Sequence, residues 1–243
     1  MRRILASLAI IALLSSPASA WDSAKFKFLS KIIHPTHSYL TEYALDQLQA
    51  KYPELGQYRA VIIEGANQEL HELPVKGTLH GIDLDKKRIE HKGTNAGSDD
   101  VPGWWKDAET AYKSGNKELG YFEIGIMLHM IEDMGVPAHA NGVIHQGNLT
   151  EFDNFEFMAL QKWDPDFKDV NRKDPGYSDP SKYYRFSQDW THADAPDYHD
   201  RNSFSKTWLT ASDAEKALMR SRQGRTATVT LWALHAAMVA LAK

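Results

Sequence analysis

The sequence predicts an all-α fold, a single-domain bundle of helices joined by long loops. Three observations carry that reading. Apolar residues recur at three- and four-residue spacing in several stretches, which is the period of a helix with one buried face. No stretch keeps up the alternation of a half-buried strand. Prolines and glycine-rich clusters separate the periodic stretches, with no internal repeat or low-complexity tract among them.

The first twenty residues, MRRILASLAIIALLSSPASA, combine two arginines, an apolar stretch from Ile4 to Leu14 and a small-residue end at Ala18-Ser19-Ala20. That is the pattern of a secretory leader, too short for a membrane span. Cleavage after Ala20 would leave Trp21 at the mature N-terminus, with residues 21–243 as one exported domain, secreted or periplasmic. The sequence has no cysteine, so an exported form has no disulfides and draws its stability from core burial, metal or both. The net charge of −4 becomes −6 once Arg2 and Arg3 leave with the leader. That balance weighs against a nucleic-acid binder held by phosphate contacts.

Proline suits a first helical position, so Pro35 marks the start of a helix running to about Lys51 before Pro53. His37, Leu40, Ala44 and Leu48 share its inner stripe. A second helix spans about Tyr58 to Leu73, ahead of Pro74, and carries Glu64, Glu69, His71 and Glu72. The glycine-rich, polar stretch after it reads as a long loop containing His80, Asp83, Asp85 and His91; loops of that length in a compact domain are usually functional. Helical signal returns from Trp104 to Lys113, then from about Lys117 to Met134. A further helix is expected from about Thr150, burying Phe152, Phe155, Met158 and Ala159. Residues 162–202, rich in Asp, Pro, Tyr and Trp, show no sustained period and read as an excursion of short turns. The last helix runs from about Asp213 to Ala242, capped by Ser212 or Thr210. Its predicted stripe is Ala217, Leu218, Ser221, Thr228, Leu231, Trp232, His235, Val239 and Ala242, with His235 structural. Arg220, Arg222 and Arg225 are placed on the solvated side or against acidic neighbours.

Chemistry concentrates in GIMLHMIEDMGVPAHANGVIHQGNLTEFDNFE, residues 125–156. His129 and Asp133, four apart, share one helix face. Pro137 is expected to end that helix and leave His139 just beyond it, and His145 and Glu156 follow. Imidazole nitrogens and carboxylate oxygens are zinc ligands. Taken alone, the His129–Asp133 pair fits a hydrogen-bonded core contact, and His37 fits a core histidine as well as a ligand.

The exposed Trp21, His37 at the start of the first helix and the central HMIEDMGVPAH together resemble the zinc-dependent phospholipase C family of bacteria, and more distantly the single-strand nucleases of that superfamily. The likeness covers about Trp21 to Glu156. It implies a buried trinuclear zinc site. Trp21, through its amino nitrogen and carbonyl oxygen, would hold one zinc with His37 and a bridging Asp133. Binding then requires the neutral amine, whose pKa is about 8. His80, His129 and Asp133 would hold the second, and His139, His145 and Glu156 the third. The upstream carboxylate is assigned to Glu69, with Glu64 and Glu72 as alternatives, and Glu69 and Asp133 would be the catalytic carboxylates. The chain departs from the family where Phe152 stands four before Glu156, so His145 has to reach the metal from the preceding loop.

A zinc cluster lowers the pKa of bound water toward about 7 and offsets phosphodiester charge. The expected activity is therefore hydrolysis of a phosphate ester by zinc-bound hydroxide, with a phospholipid as substrate, transient contact with a membrane surface and no stable protein partner. The competing expectations are a single-strand nuclease or nucleotidase, and an exported protein whose zinc only holds the fold together.

Overall fold

The computed structural model describes residues 36–68, 101–143, 153–198, 200, 203–205 and 207–243, with the backbone of 78–79 and 82–83. The expected leader, Trp21, Glu69, His71, Glu72, His80, Asp85, His91, His145, Thr150 and Phe152 lie outside the described residues. The described chain is all-α. In order it forms α1 (Thr36–Leu48), α2 (Glu54–Gln57), α3 (Arg59–Ala66), α4 (Val101–Lys113), α5 (Lys117–Asp133), α6 (Pro137–Ala140), α7 (Asn154–Gln161), α8 (Tyr183–Asp194) and α9 (Asp213–Leu241). Two-residue strands at Thr78–Leu79 and Ile82–Asp83 pair antiparallel, with Leu79 opposite Ile82. Among the described residues no helix is long and apolar enough to cross a membrane.

Helix α5 is the centre. Every residue from Gly120 to Asp133 is buried, because α1, α3, α4, α8 and α9 all pack against it. A helix covered on all sides needs no polar stripe, which is why GYFEIGIMLHMI reads as one nearly continuous apolar run. Its start is fixed by Asn116, whose side chain accepts from the Leu119 N–H. Helix α1 buries His37, Leu40, Ala44 and Leu48, the stripe expected from spacing.

The crossing of α3 and α5 is a backbone contact. A Cβ added at Gly65 would stand 2.1 Å from the Phe122 carbonyl oxygen, and one at Gly125 would stand 2.2 Å from that of Ile62. Both neighbours are main chain and have no rotamer through which to withdraw. Gly125→Ala is therefore expected to force the helices apart and to lower the unfolding free energy by about 1–3 kcal/mol, as overpacking does. Denaturant unfolding of the two proteins measures the difference; equal midpoints would show that the crossing is not that close.

Two expectations are corrected. Residues 162–202 are more than turns: they contain 3₁₀ turns at Phe167–Asp169 and Pro180–Lys182 and the helix α8. Helix α8 buries Tyr183, Tyr184, Ser187, Trp190 and Thr191, and two of these five are small hydroxyl residues, so the hydrophobic period was faint. His139 lies past the end of the central helix at Asp133, in a one-turn helix that Pro137 starts. The stripe of α9 is misplaced at both ends: Ala217, Val239 and Ala242 are exposed, while Met219, Ala233, Leu234 and Ala237 are buried. Between Ser221 and Thr230 every residue of α9 is buried, Arg222 and Arg225 included.

The start of α9 follows the capping expectation. Ser212 accepts from the Glu215 N–H, and Glu215 reaches back to the Ser212 N–H, forming a capping box. Partial burial alone would raise the Glu215 carboxyl. Hydrogen bonds from Ser212 and Ser205 outweigh that and lower it from 4.5 to about 2. A depressed folded-state pKa gives stability that is present above pH 4.5 and lost as pH falls toward 2. Glu215→Gln is thus expected to flatten the acid limb of the unfolding free energy in that window, as measured by denaturant titration at several pH values; an unchanged limb would contradict the assignment.

Candidate metal centre

The centre is built where α1, α3 and α5 meet. Asn67, at the end of α3, donates through Nδ2 to Ser38 Oγ at 2.9 Å, which ties the first turn of α1 to that helix end and sets His37 beside His129. The two rings stack, with centroids 4.2 Å apart and planes 21° from parallel. His129 Nδ1 lies 2.9 Å from the Ala66 carbonyl oxygen. A carbonyl only accepts, so Nδ1 carries a proton, and in the neutral ring the lone pair is on Nε2. That bond also satisfies one of the orphan carbonyls at the end of α3.

His37 is placed in the same way. Its Nδ1 is 2.7 Å from Glu132 Oε2 and its Nε2 is 3.4 Å from Asp133 Oδ1. His129 Nε2 is 3.4 Å from Asp133 Oδ2. Each oxygen of one carboxylate thus faces one imidazole, at a spacing long for a hydrogen bond. Asp133 Oδ1 is buried and has no hydrogen-bond donor of good geometry. One ligand atom from each of His37, His129 and Asp133 lies within 4.8 Å of the other two. Among the described residues this is the one such group of three, and it can hold a metal ion.

The electrostatics suit a cation. Burial by itself lowers the His37 pKa, but the carboxylates of Asp133 and Glu132 on either side of the ring outweigh it and raise the group from 6.5 to about 10. Burial would raise Asp133, and the charges of His129 and His139 instead hold it well below the usual carboxylate range. Protons on both Nε2 atoms would put two positive rings in a stack, where like charges repel. Metal bound in place of those protons would satisfy the Nε2 lone pairs and the bare Asp133 oxygen without that repulsion.

A second pair lies beyond the end of α5. His139, on α6, has Nε2 3.2 Å from Oε1 of the buried Glu156 on α7. The first turn of α7 is capped by Asp153, whose Oδ1 accepts from the N–H groups of Phe155 and Glu156. Tyr198 donates to Asp153 Oδ2 at 2.6 Å, so that cap is itself held. The link from α5 to α6 is fixed at two carbonyls: Thr191 Oγ1 donates to Met134 O at 2.5 Å, and Arg222 Nε to Gly135 O at 3.2 Å.

Of the residues expected at the metal site, His37, His129 and Asp133 are brought together, and His139 pairs with Glu156. Trp21, Glu69, His80 and His145 lie outside the described residues. Glu64 is half-buried on the last turns of α3. Spacing overlooked Glu132, Thr41, Thr230, Asp153 and Tyr198, none of which touches the site by period alone. The available cue was Glu132 itself, an acid inside an apolar helix, which has to be paired if it is buried. Comparison of the chain with protein-family models and with curated proteins finds no match.

Proposed function

We propose that the chain is an exported zinc-dependent phosphodiesterase that hydrolyses phospholipid head-group esters, as its resemblance to the zinc-dependent phospholipase C family implies. The observation that carries the reading is the division of the Asp133 carboxylate, with Oδ1 toward His37 and Oδ2 toward His129. A carboxylate divided in this way would serve two ions, one that Trp21 and His37 would help to hold and one that His80 and His129 would help to hold. The His139–Glu156 pair supplies two ligands for a third ion, completed by His145.

Zinc suits a set made of imidazole nitrogens and carboxylate oxygens, and when bound it makes water a competent nucleophile at neutral pH and neutralises charge on the ester. The residues do the rest. Asp133 holds the two neighbouring positions together, and Ala66 fixes His129 so that Nε2 faces inward. Glu69, as the upstream carboxylate, orients the water that attacks phosphorus. The substrate is met at a membrane surface by transient contact, outside the cytoplasm after cleavage near Ala20.

The test uses the mature protein, beginning at Trp21, on phosphatidylcholine and on single-stranded DNA. Release of diacylglycerol that chelator abolishes and zinc restores is the expected result. Cleavage of DNA alone would move the substrate to nucleic acid. A zinc-loaded protein inactive on both would overturn catalysis and leave a metal-stabilised fold.

A further inference from the structure

Glu132 is adjacent to Asp133 on α5 and fully buried, but the resemblance gives it no role. Its carboxylate is held by three side chains from two other helices, α1 and α9. Oε1 accepts from Thr41 of α1 at 2.9 Å and from Thr230 of α9 at 3.2 Å. Oε2 faces His37 Nδ1 at 2.7 Å. Both oxygens are therefore engaged by protein groups, and Oε2 meets His37 at Nδ1, the nitrogen that does not face Asp133.

Neighbouring residues on a helix point about 100° apart. Glu132 and Asp133 use that divergence to take opposite sides of one imidazole, Glu132 at Nδ1 and Asp133 at Nε2. With Oε1 already accepting two hydroxyl protons, the carboxylate acts as an acceptor toward His37 as well, so the proton of the bond belongs to Nδ1. A neutral imidazole has one N–H. Placing it on Nδ1 leaves the Nε2 lone pair for a metal.

We propose that Glu132 is a positioning residue, which locks His37 in the Nδ1–H tautomer and so makes Nε2 its metal-ligating atom. The inference rests on the metal reading of the His37–His129–Asp133 group. It assigns to Glu132 on His37 the job that the Ala66 carbonyl does on His129. The two imidazoles are then oriented by unlike partners, one charged and one neutral, and the charged partner makes His37 the more basic ligand.

Glu132→Gln separates this role from simple packing. The side chain keeps its size, but if its amide oxygen stays with Thr41 and Thr230, its NH₂ group faces Nδ1. That bond can form only with the Nε2–H tautomer, whose protonated Nε2 cannot bind metal. The expected loss is about 10–100-fold in metal affinity, the range seen when an outer partner of a ligating histidine is removed. Affinity is read by competition of Zn²⁺ with a chromophoric chelator, and thermal melting of the metal-free proteins reports the fold. Unchanged zinc affinity in a folded Glu132→Gln protein would overturn the positioning role and leave the metal site standing. Failure of the wild-type protein to bind zinc would overturn both.

A second measurement needs no variant. Two-bond ¹H–¹⁵N correlation spectra of the zinc-loaded wild-type protein distinguish the imidazole tautomers directly. His37 protonated at Nδ1 and metal-bound at Nε2 is expected. A His37 protonated at Nε2, or bound through Nδ1, would overturn the proposal even if the variant failed to fold.

Discussion

Asp133→Asn is expected to empty the metal centre. The substitution keeps the size of the side chain and removes the charge that both imidazoles face, on Oδ1 for His37 and on Oδ2 for His129. An asparagine can also present its NH₂ group to one ring, occupying that lone pair with a hydrogen bond. Because one residue serves both histidines, the loss of zinc affinity should exceed the ~10–100-fold that follows removal of an outer partner. Elemental analysis after equilibration with zinc measures it. A full metal complement in Asp133→Asn would show that the cluster is a core hydrogen-bond network and that any metal lies elsewhere. Activity on phosphatidylcholine should fall with the metal count.

Asp194→Ala is expected to be the most damaging substitution away from the metal. Arg222 is buried and donates through Nη1 to Asp194 Oδ2 at 2.5 Å, and Arg225 reaches the same oxygen. Burial pulls the Arg222 guanidinium down to about 10 from 12.5, with Asp194 opposing that fall. Arg225 keeps a second partner in Asp169, at 2.8 Å, whereas Arg222 would be left with neutral acceptors. Breaking a buried pair by removing one member costs about 3–5 kcal/mol, because a charge stays buried without its counterion. The damage should also reach the site, since Arg222 holds the Gly135 carbonyl between Asp133 and His139. Urea unfolding of metal-free protein tests the stability claim, and a change below about 1 kcal/mol would contradict it. Replacing Asp194 and Arg222 together by apolar residues should cost less than Asp194→Ala alone.

What the sequence made legible was the part governed by local period and by helix ends. Pro35 and the stripe through His37, Leu40, Ala44 and Leu48 placed α1 with its histidine inward, and the structure buries all four. The four-residue spacing of His129 and Asp133 put them on one face of α5, where they are found. Spacing within one helix says nothing about which other helix arrives, so Glu132 looked like any acid beside Asp133. Its partners Thr41 and Thr230 lie 91 and 98 residues away in the chain. The same limit explains the misplaced stripe of α9. Its interior segment contains Ser221, Arg222, Gln223 and Thr230, all buried, and these are admissible because partners from distant segments satisfy them. Gln223, for example, donates to the Lys162 carbonyl and accepts from the Asp164 N–H. Helix α8 escaped notice for a related reason, since Ser187 and Thr191 fill inward positions where an apolar period would need larger residues.

The most direct measurement of the central claim is an anomalous-difference map at the zinc edge, from crystals of the mature protein grown with zinc. Density is expected beside Asp133, with the Nε2 atoms of His37 and His129 and the Asp133 oxygens at about 2.0–2.2 Å from zinc. Zinc-grown crystals with no peak there, and with His37 and His129 hydrogen-bonded directly to Asp133, would contradict it.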